Sequence, residues 1–400
     1  TPKPSSAASD VYKRQIHAYP SGGGAYAVAS ENWDAKAGLI AGGSLLVDYM
    51  LTVAVSASAA ADAITAAFPA TLPFTVPLSI IIVLLLTGMN LRGLRESANF
   101  LMVPVYFFIV VMVSMIAWGV FQALTGQLPY HAAAKIGTSF SGLSLVLFMR
   151  AFSSGSSSLT GVEAISNAVP NFKKPKEKHA AATLATMAVI LATFFGGITF
   201  LSYWLGITPN SKSTVLSQIA AITFGGYHVG FYIVQFATAM ILAVAANTGF
   251  SAFPMLALNL ARDKYLPHLY MDRGDRLGYS NGILSLAFGA IVLIMIFHGS
   301  TDALIPLYAV GVFVPFTLSQ SGMIIHWWRS KPQNWVVKAI INFIGAFISA
   351  VLVITLFATR IEHVWPYLFI MPMILFMFLK IKHHYMLSLI HISEPTRLQL

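Results

Sequence analysis

The sequence contains no cysteine, so disulfide bridges and thiolate-bound metals are excluded. It is also poor in charge. Charged residues make up 10% of the 400, where a soluble domain carries about 25% because it has a surface to solvate. Catalytic signatures are missing too: no HExxH, GxSxG or GxxxxGKS/T occurs. These absences point away from an enzyme and from direct use of ATP, and no cofactor is expected. A TVGYG-like filter, which would mark a potassium channel, is likewise absent.

What is present is apolar. Hydrophobic residues reach 57% and mean hydropathy is +0.73, while the net charge of +10 sits in short clusters between apolar runs. That distribution argues for a protein embedded in a lipid bilayer rather than one that binds nucleic acid. A membrane-spanning helix needs about 20 mostly apolar residues. Ten segments qualify: 37–60, 76–92, 99–124, 142–168, 180–206, 228–259, 282–298, 302–327, 336–358 and 363–382. Alternate connections on one side carry sixteen Lys and Arg; the opposite set carries only Lys135, Lys212 and Arg360. By the positive-inside rule, both ends of this segment are expected in the cytoplasm of a multi-pass cell-membrane protein. Tyr19–Ala29 is then a cytoplasmic entry into the first of these spans.

The extreme ends read differently. Residues 1–15, ending in VYKRQ, and 386–400, with LSLIHISEPTRLQL, resemble translated adapter or vector sequence. The expected organisation is one membrane transporter domain over 16–385, a fragment of a longer parent, flanked by non-native tails.

Several spans are not simply apolar. Segment 142–168 contains SSGSSS over Ser153–Ser158, with Gly155 at its centre. Ser and Gly weaken a helix, and Ser hydroxyls can satisfy a backbone that unwinds, so a broken helix at the midplane is expected. The other explanation is a tight contact between helices through small residues. Three residues apart on one face lie Thr160 and Glu163. A carboxylate inside a span costs at least ~2.5 kcal/mol on insertion scales and marks an ion or proton pathway. Burial would let Glu163 exchange a proton near neutral pH; pairing with Arg150 would make it structural instead. In the first span Asp48, Tyr49, Thr52 and Ser56 form a polar stripe. Hydroxyls beside an acid suit a weakly hydrated monovalent cation, unless the stripe only bonds neighbouring helices. Tyr308, in LIPLYAVGVFVP, could gate a cavity or anchor the span at an interface. Asn247-Thr248-Gly249 reads as a second polar break. Asp62 and Asp302 fall near external helix ends, where solvation is expected, and His326-Trp327-Trp328 reads as an interface belt.

PSGGGAY, NLRG, TGVEAISNAVPNFKKP and NLARDKYLP resemble strings of the amino acid–polyamine–organocation permeases. The resemblance covers nearly all of 18–385. It implies the LeuT-type fold: two inverted five-helix repeats, their first and sixth helices broken, followed by two extra helices. The ten spans would be helices three to twelve of twelve, with 142–168 as the broken sixth. LVDYMLTVAVS, RAFSSGSSSLTGVEAISN and RGDRLGYSNGI look more closely like the KimA-type potassium–proton symporters. That resemblance implies a potassium path lined by Asp48, Tyr49, Thr52, Ser56 and Thr160, proton coupling at Glu163, and closure by Tyr308. It also implies two preceding helices, a regulatory cytoplasmic domain beyond Tyr385, and a homodimeric parent.

Three functions remain in competition at this stage. The first is potassium import coupled to protons, resting on the hydroxyl stripe, Glu163 and the specific strings. An amino acid or amine permease would also use the superfamily motifs and a broken helix. A nontransporting nutrient sensor on the same fold would bind ligand without flux.

Overall fold

The structure is a computed structural model and describes residues 24–92, 98–128, 130–131, 145–156, 172–208, 213–272, 279–332 and 334–393. Its helices are α1 (Ala25–Asn32), α2 (Ala35–Ala67), α3 (Thr75–Leu91), α4 (Ala98–Leu124), α5 (Leu145–Ser156) and α6 (Lys176–Trp204). They continue with α7 (Val215–Thr223), α8 (Val229–Arg262), α9 (Ser280–Ile296), α10 (Thr301–Ser330), α11 (Trp335–Thr359) and α12 (Ile361–Ser393). Eight helical stretches among the described residues are long and apolar enough to cross a membrane, and α9 is a shorter apolar helix of 17 residues. All-helical crossing is what hydrocarbon demands, because every backbone N–H and C=O must be paired within the segment. The expected span 142–168 is described only as far as Ser156.

α2 is the axis of the bundle. Within its most apolar stretch 78% of residues are buried, against 11% for α6, so α2 faces protein on every side and α6 mostly faces outward. The Asp34 side chain caps its start by accepting from the Ala37 N–H at 2.7 Å. At the other end an alanine-rich stretch, ADAITAA, carries the helix past the expected limit at residue 60 to Ala67, just short of Pro69. Alanine is a strong helix former whether or not it is apolar enough to register as a span. The main apolar core runs along α2, α3, α8, α9, α10 and α12. A second cluster joins α4, α6, α7 and α8 around Met112, Met115 and Phe231.

Two expected interruptions are continuous helix. α8 runs unbroken through Asn247-Thr248-Gly249, and α10 through Pro306 and Pro315. Thr248 returns its hydroxyl to the Ala245 carbonyl at 2.6 Å, and Asn247 accepts from the Asn90 amide of α3 at 2.7 Å. The polar residues of α8 thus serve a helix–helix contact and local back-bonding, without unwinding the chain. Trp327 departs from the expected interface belt: it is 6% exposed, whereas Trp328 is 63% exposed. One residue turns the helix by about 100°, enough to send Trp327 toward α11 and leave Trp328 outside.

Candidate functional site

The polar stripe of the first span lies where α2 meets α8 and α10. Asp48 is 1% exposed, Tyr49 and Ser56 are buried, and Thr52 is half-buried. Glycines bring the neighbouring helices into near backbone contact here. A methyl group on Gly311 of α10 would lie 3.4 Å from both Cα and Cβ of Asp48. A methyl group on Gly249 of α8 would lie 3.1 Å from the Tyr49 carbonyl oxygen and 2.7 Å from Val53 Cγ2. Each four-residue step along a helix turns about 40°. Going around α2 from Asp48, on the α10 side, Thr52 and Ser56 therefore come before Tyr49, on the α8 side. The stripe fills the sector between two helices that approach α2 closely, and it does not face lipid.

The hydrogen bonding of the stripe bears on what it can hold. Thr52 donates its hydroxyl proton to the Asp48 carbonyl at 2.9 Å. A hydroxyl whose proton is engaged that way presents lone pairs in its remaining directions, which suits a cation. Tyr308 lies three residues before Gly311, on the same side of α10 as the contact with Asp48, and packs half-buried against the core. At the end of the stripe nearer the start of α2, Ser44, one turn before Asp48, shares a 2.6 Å hydrogen bond with Tyr367 of α12. At the other end Thr301 of α10 donates to Asp62 Oδ2 at 3.2 Å. Asp62 is therefore drawn into a helix contact, not left to solvent alone.

α5 remains helical through Ser153, Ser154, Gly155 and Ser156, the first part of the run expected to unwind. Gly155 is exposed on it, and a methyl group there would meet nothing within 4 Å. Thr160 and Glu163 lie outside the described residues, as do Ser157 and Ser158 at the end of the serine run. Asp48, Tyr49, Thr52, Ser56 and Tyr308 thus lie along the packing of α2 against α8 and α10.

A further element escaped the sequence reading. α1 lies across the ends of α8 and α10 that share a side with the start of α2. Its Tyr26 hydroxyl donates to the Asp263 carboxylate, immediately after α8. Burial, and then the adjacent Asp263, push the Tyr26 phenol well above the ordinary tyrosine range, so it stays a neutral donor. Trp33, just past α1, donates its indole N–H to Ser321 of α10 at 3.1 Å, and Gly322 packs beneath Val28. α1 therefore straps together the two helices that flank the stripe. Nearby, Lys382 of α12 donates to the Tyr265 hydroxyl at 2.6 Å and lies 4.0 Å from its ring centroid. Partners more than 100 residues apart leave no local pattern in the sequence.

Comparison with known proteins identifies the family. The family model described as amino acid permease matches residues 14–379. Potassium transporter KimA of Bacillus subtilis (strain 168) is 55% identical over 376 residues, which is 94% of this chain and 62% of that protein. Low-affinity putrescine importer PlaP of Escherichia coli (strain K12) is 25% identical over 342 residues, covering 82% of this chain and 72% of the importer. The chain thus spans less than two thirds of the length of the potassium transporter it matches. A family model that covers most of the chain, together with an all-helical bundle of membrane length, shows that this chain belongs to the amino acid permease family.

Proposed function

We propose that the chain is the membrane portion of a secondary transporter that imports potassium coupled to protons by alternating access. One observation carries the reading: the oxygen-rich stripe of α2 is buried between α8 and α10, in a chain 55% identical to a potassium transporter. Potassium is the cargo and is held by Tyr49, Thr52 and Ser56, with Thr160 contributing from the span that follows α5. Asp48 supplies negative charge beside them, Gly155 exposes backbone, and Tyr308 closes the site from α10. Glu163 takes a proton from outside and releases it inside, which biases the cycle inward. Both ends of the segment face the cytoplasm of the cell membrane, and the parent protein works as a homodimer. No step requires a cofactor or enzymatic chemistry.

The test is growth of cells that lack their own potassium importers, rescued by the full-length protein at low external potassium. Rescue by the natural protein that is lost with Glu163→Gln, at unchanged expression, supports both cargo and coupling. Proton-coupled uptake that survives Glu163→Gln removes the role given to that residue. No rescue from a well-inserted protein overturns the potassium reading, and amino acid and amine uptake is then the assay to run.

A further inference from the structure

The seam between α10 and α11 holds polar groups that the transport site does not use. Asn342 of α11 is 0% exposed and Gln320 of α10 is 4% exposed. Both amide atoms of Asn342, Oε1 of Gln320 and Nε1 of the buried Trp327 lack a hydrogen-bond partner among the described residues. Two contacts between the helices fix where they sit. Thr317 of α10 donates to Ser349 of α11 at 2.9 Å, and Lys338 of α11 lies 4.7 Å from the Trp327 ring centroid. The helices are antiparallel, joined by a turn of a few residues between Ser330 and Trp335. On α10, Gln320 falls on the face shared by Thr317 and Trp327; on α11, Asn342 falls on the face shared by Lys338 and Ser349. Both brackets close on the same stretch of seam, so Gln320 and Asn342 face each other within about one helical turn.

We propose that this stretch is a buried water site, in which water bridges Gln320, Asn342 and Trp327. The donor set selects the ligand. Asn342 offers two N–H donors as well as an acceptor, and Trp327 offers only a donor. Those N–H groups would repel a cation, and the two acceptor oxygens would repel an anion. Direct pairing does not complete the set either. A bond from Asn342 Nδ2 to Gln320 Oε1 leaves an acceptor, Asn342 Oδ1, and a donor, Trp327 Nε1. Water donates to the first and accepts from the second, and a buried water makes two to four such bonds. Each bond left unmade in a hydrocarbon setting is costly. The consequence falls on α10, which carries Tyr308 and Gly311. A hydrated seam exchanges hydrogen-bond partners as the helix shifts, whereas a dry polar seam would have to break its bonds outright.

The experiment is millisecond radiolytic hydroxyl labelling of the full-length protein in lipid nanodiscs, read by mass spectrometry. Met323 lies beside Trp327 in the seam and is 0% exposed. Met112 and Met115, 1% and 0% exposed in an apolar cluster, are the dry controls. Oxidation of Met323 at roughly three-fold or more above Met112 and Met115 is expected, because trapped water is the local radical source. Asn342→Leu and Gln320→Leu should each return Met323 to the control level. Labelling of natural Met323 no higher than Met115 overturns the proposal, and so does labelling that survives both substitutions in folded protein. The comparison within the natural protein decides the matter even where a variant does not fold.

Discussion

Gly249→Ala is the sharpest single test of how the proposed ion path is packed. The new methyl would sit 2.7 Å from Val53 Cγ2 and 3.1 Å from the Tyr49 carbonyl oxygen. Ordinary contact begins near 3.4 Å, so the intrusion is about 0.7 Å on the first atom and about 0.3 Å on the second. The Val53 side chain is 0% exposed and has little room to rotate, and the carbonyl is committed to the α2 backbone ladder. Overpacking of this kind costs about 1–3 kcal/mol. The matched control is Gly88→Ala in α3, where an added methyl meets nothing within 4 Å. Removing backbone freedom there should stabilise the helix by up to about 1 kcal/mol. In thermal-shift measurements with size-exclusion readout, Gly249→Ala should lower the midpoint by roughly 2–6 °C and Gly88→Ala should not lower it. Uptake should fall with Gly249→Ala, because the carbonyl displaced belongs to Tyr49. Equal stability of the two variants would refute the close packing of α2 on α8 and the placement of the stripe that rests on it.

Other outcomes follow from the same contacts. Asp48→Asn should lower potassium uptake at least ten-fold in the low-potassium growth and flux assays while inserting normally, since a uniform loss of the charge leaves a neutral isostere; unchanged flux would take Asp48 out of the path. Ser44→Ala and Tyr367→Phe should show a coupling of about 0.6–2 kcal/mol in a double-mutant cycle on stability, reading the hydrogen bond that joins α2 to α12. Tyr26→Phe should loosen α1 by up to about 1 kcal/mol, discounted because the pair is partly exposed. Since the folded phenol is raised above its unfolded value, this contribution is present throughout the neutral range and is lost only as pH climbs above the ordinary tyrosine pKa. A stability profile with a loss between pH 6 and 8 that vanishes in Tyr26→Phe would contradict it.

The spans were legible because hydrocarbon imposes one length and one composition, and the polar stripe of α2 stood out against that background. Boundaries were less so: an alanine-rich stretch carries α2 to Ala67 although the expected span ends at residue 60. Polar residues inside spans were legible as exceptions but not as geometry. Asn247-Thr248-Gly249 signals weakness on propensity, yet α8 uses Asn247 to hold Asn90 and Gly249 to admit Tyr49. Trp327 and Trp328 are neighbours in sequence with opposite fates, set by where α11 returns. α1 was the least visible element, since its role as a strap rests on Asp263 and Ser321, far along the chain.

The glycine contacts also have a mechanical meaning. Where a carbonyl of one helix nests against a glycine of another, neither can slide without lifting a whole backbone over its neighbour. The Tyr49 carbonyl on Gly249 is such a stop. α2 and α8 therefore behave as one rigid frame. Displacement along the stripe is blocked, and what remains free is tilting at interfaces held by side chains alone. A chemical cross-link between α2 and α8, easy to place in a chain without cysteine of its own, should accordingly leave transport running, while one between moving parts should stop it.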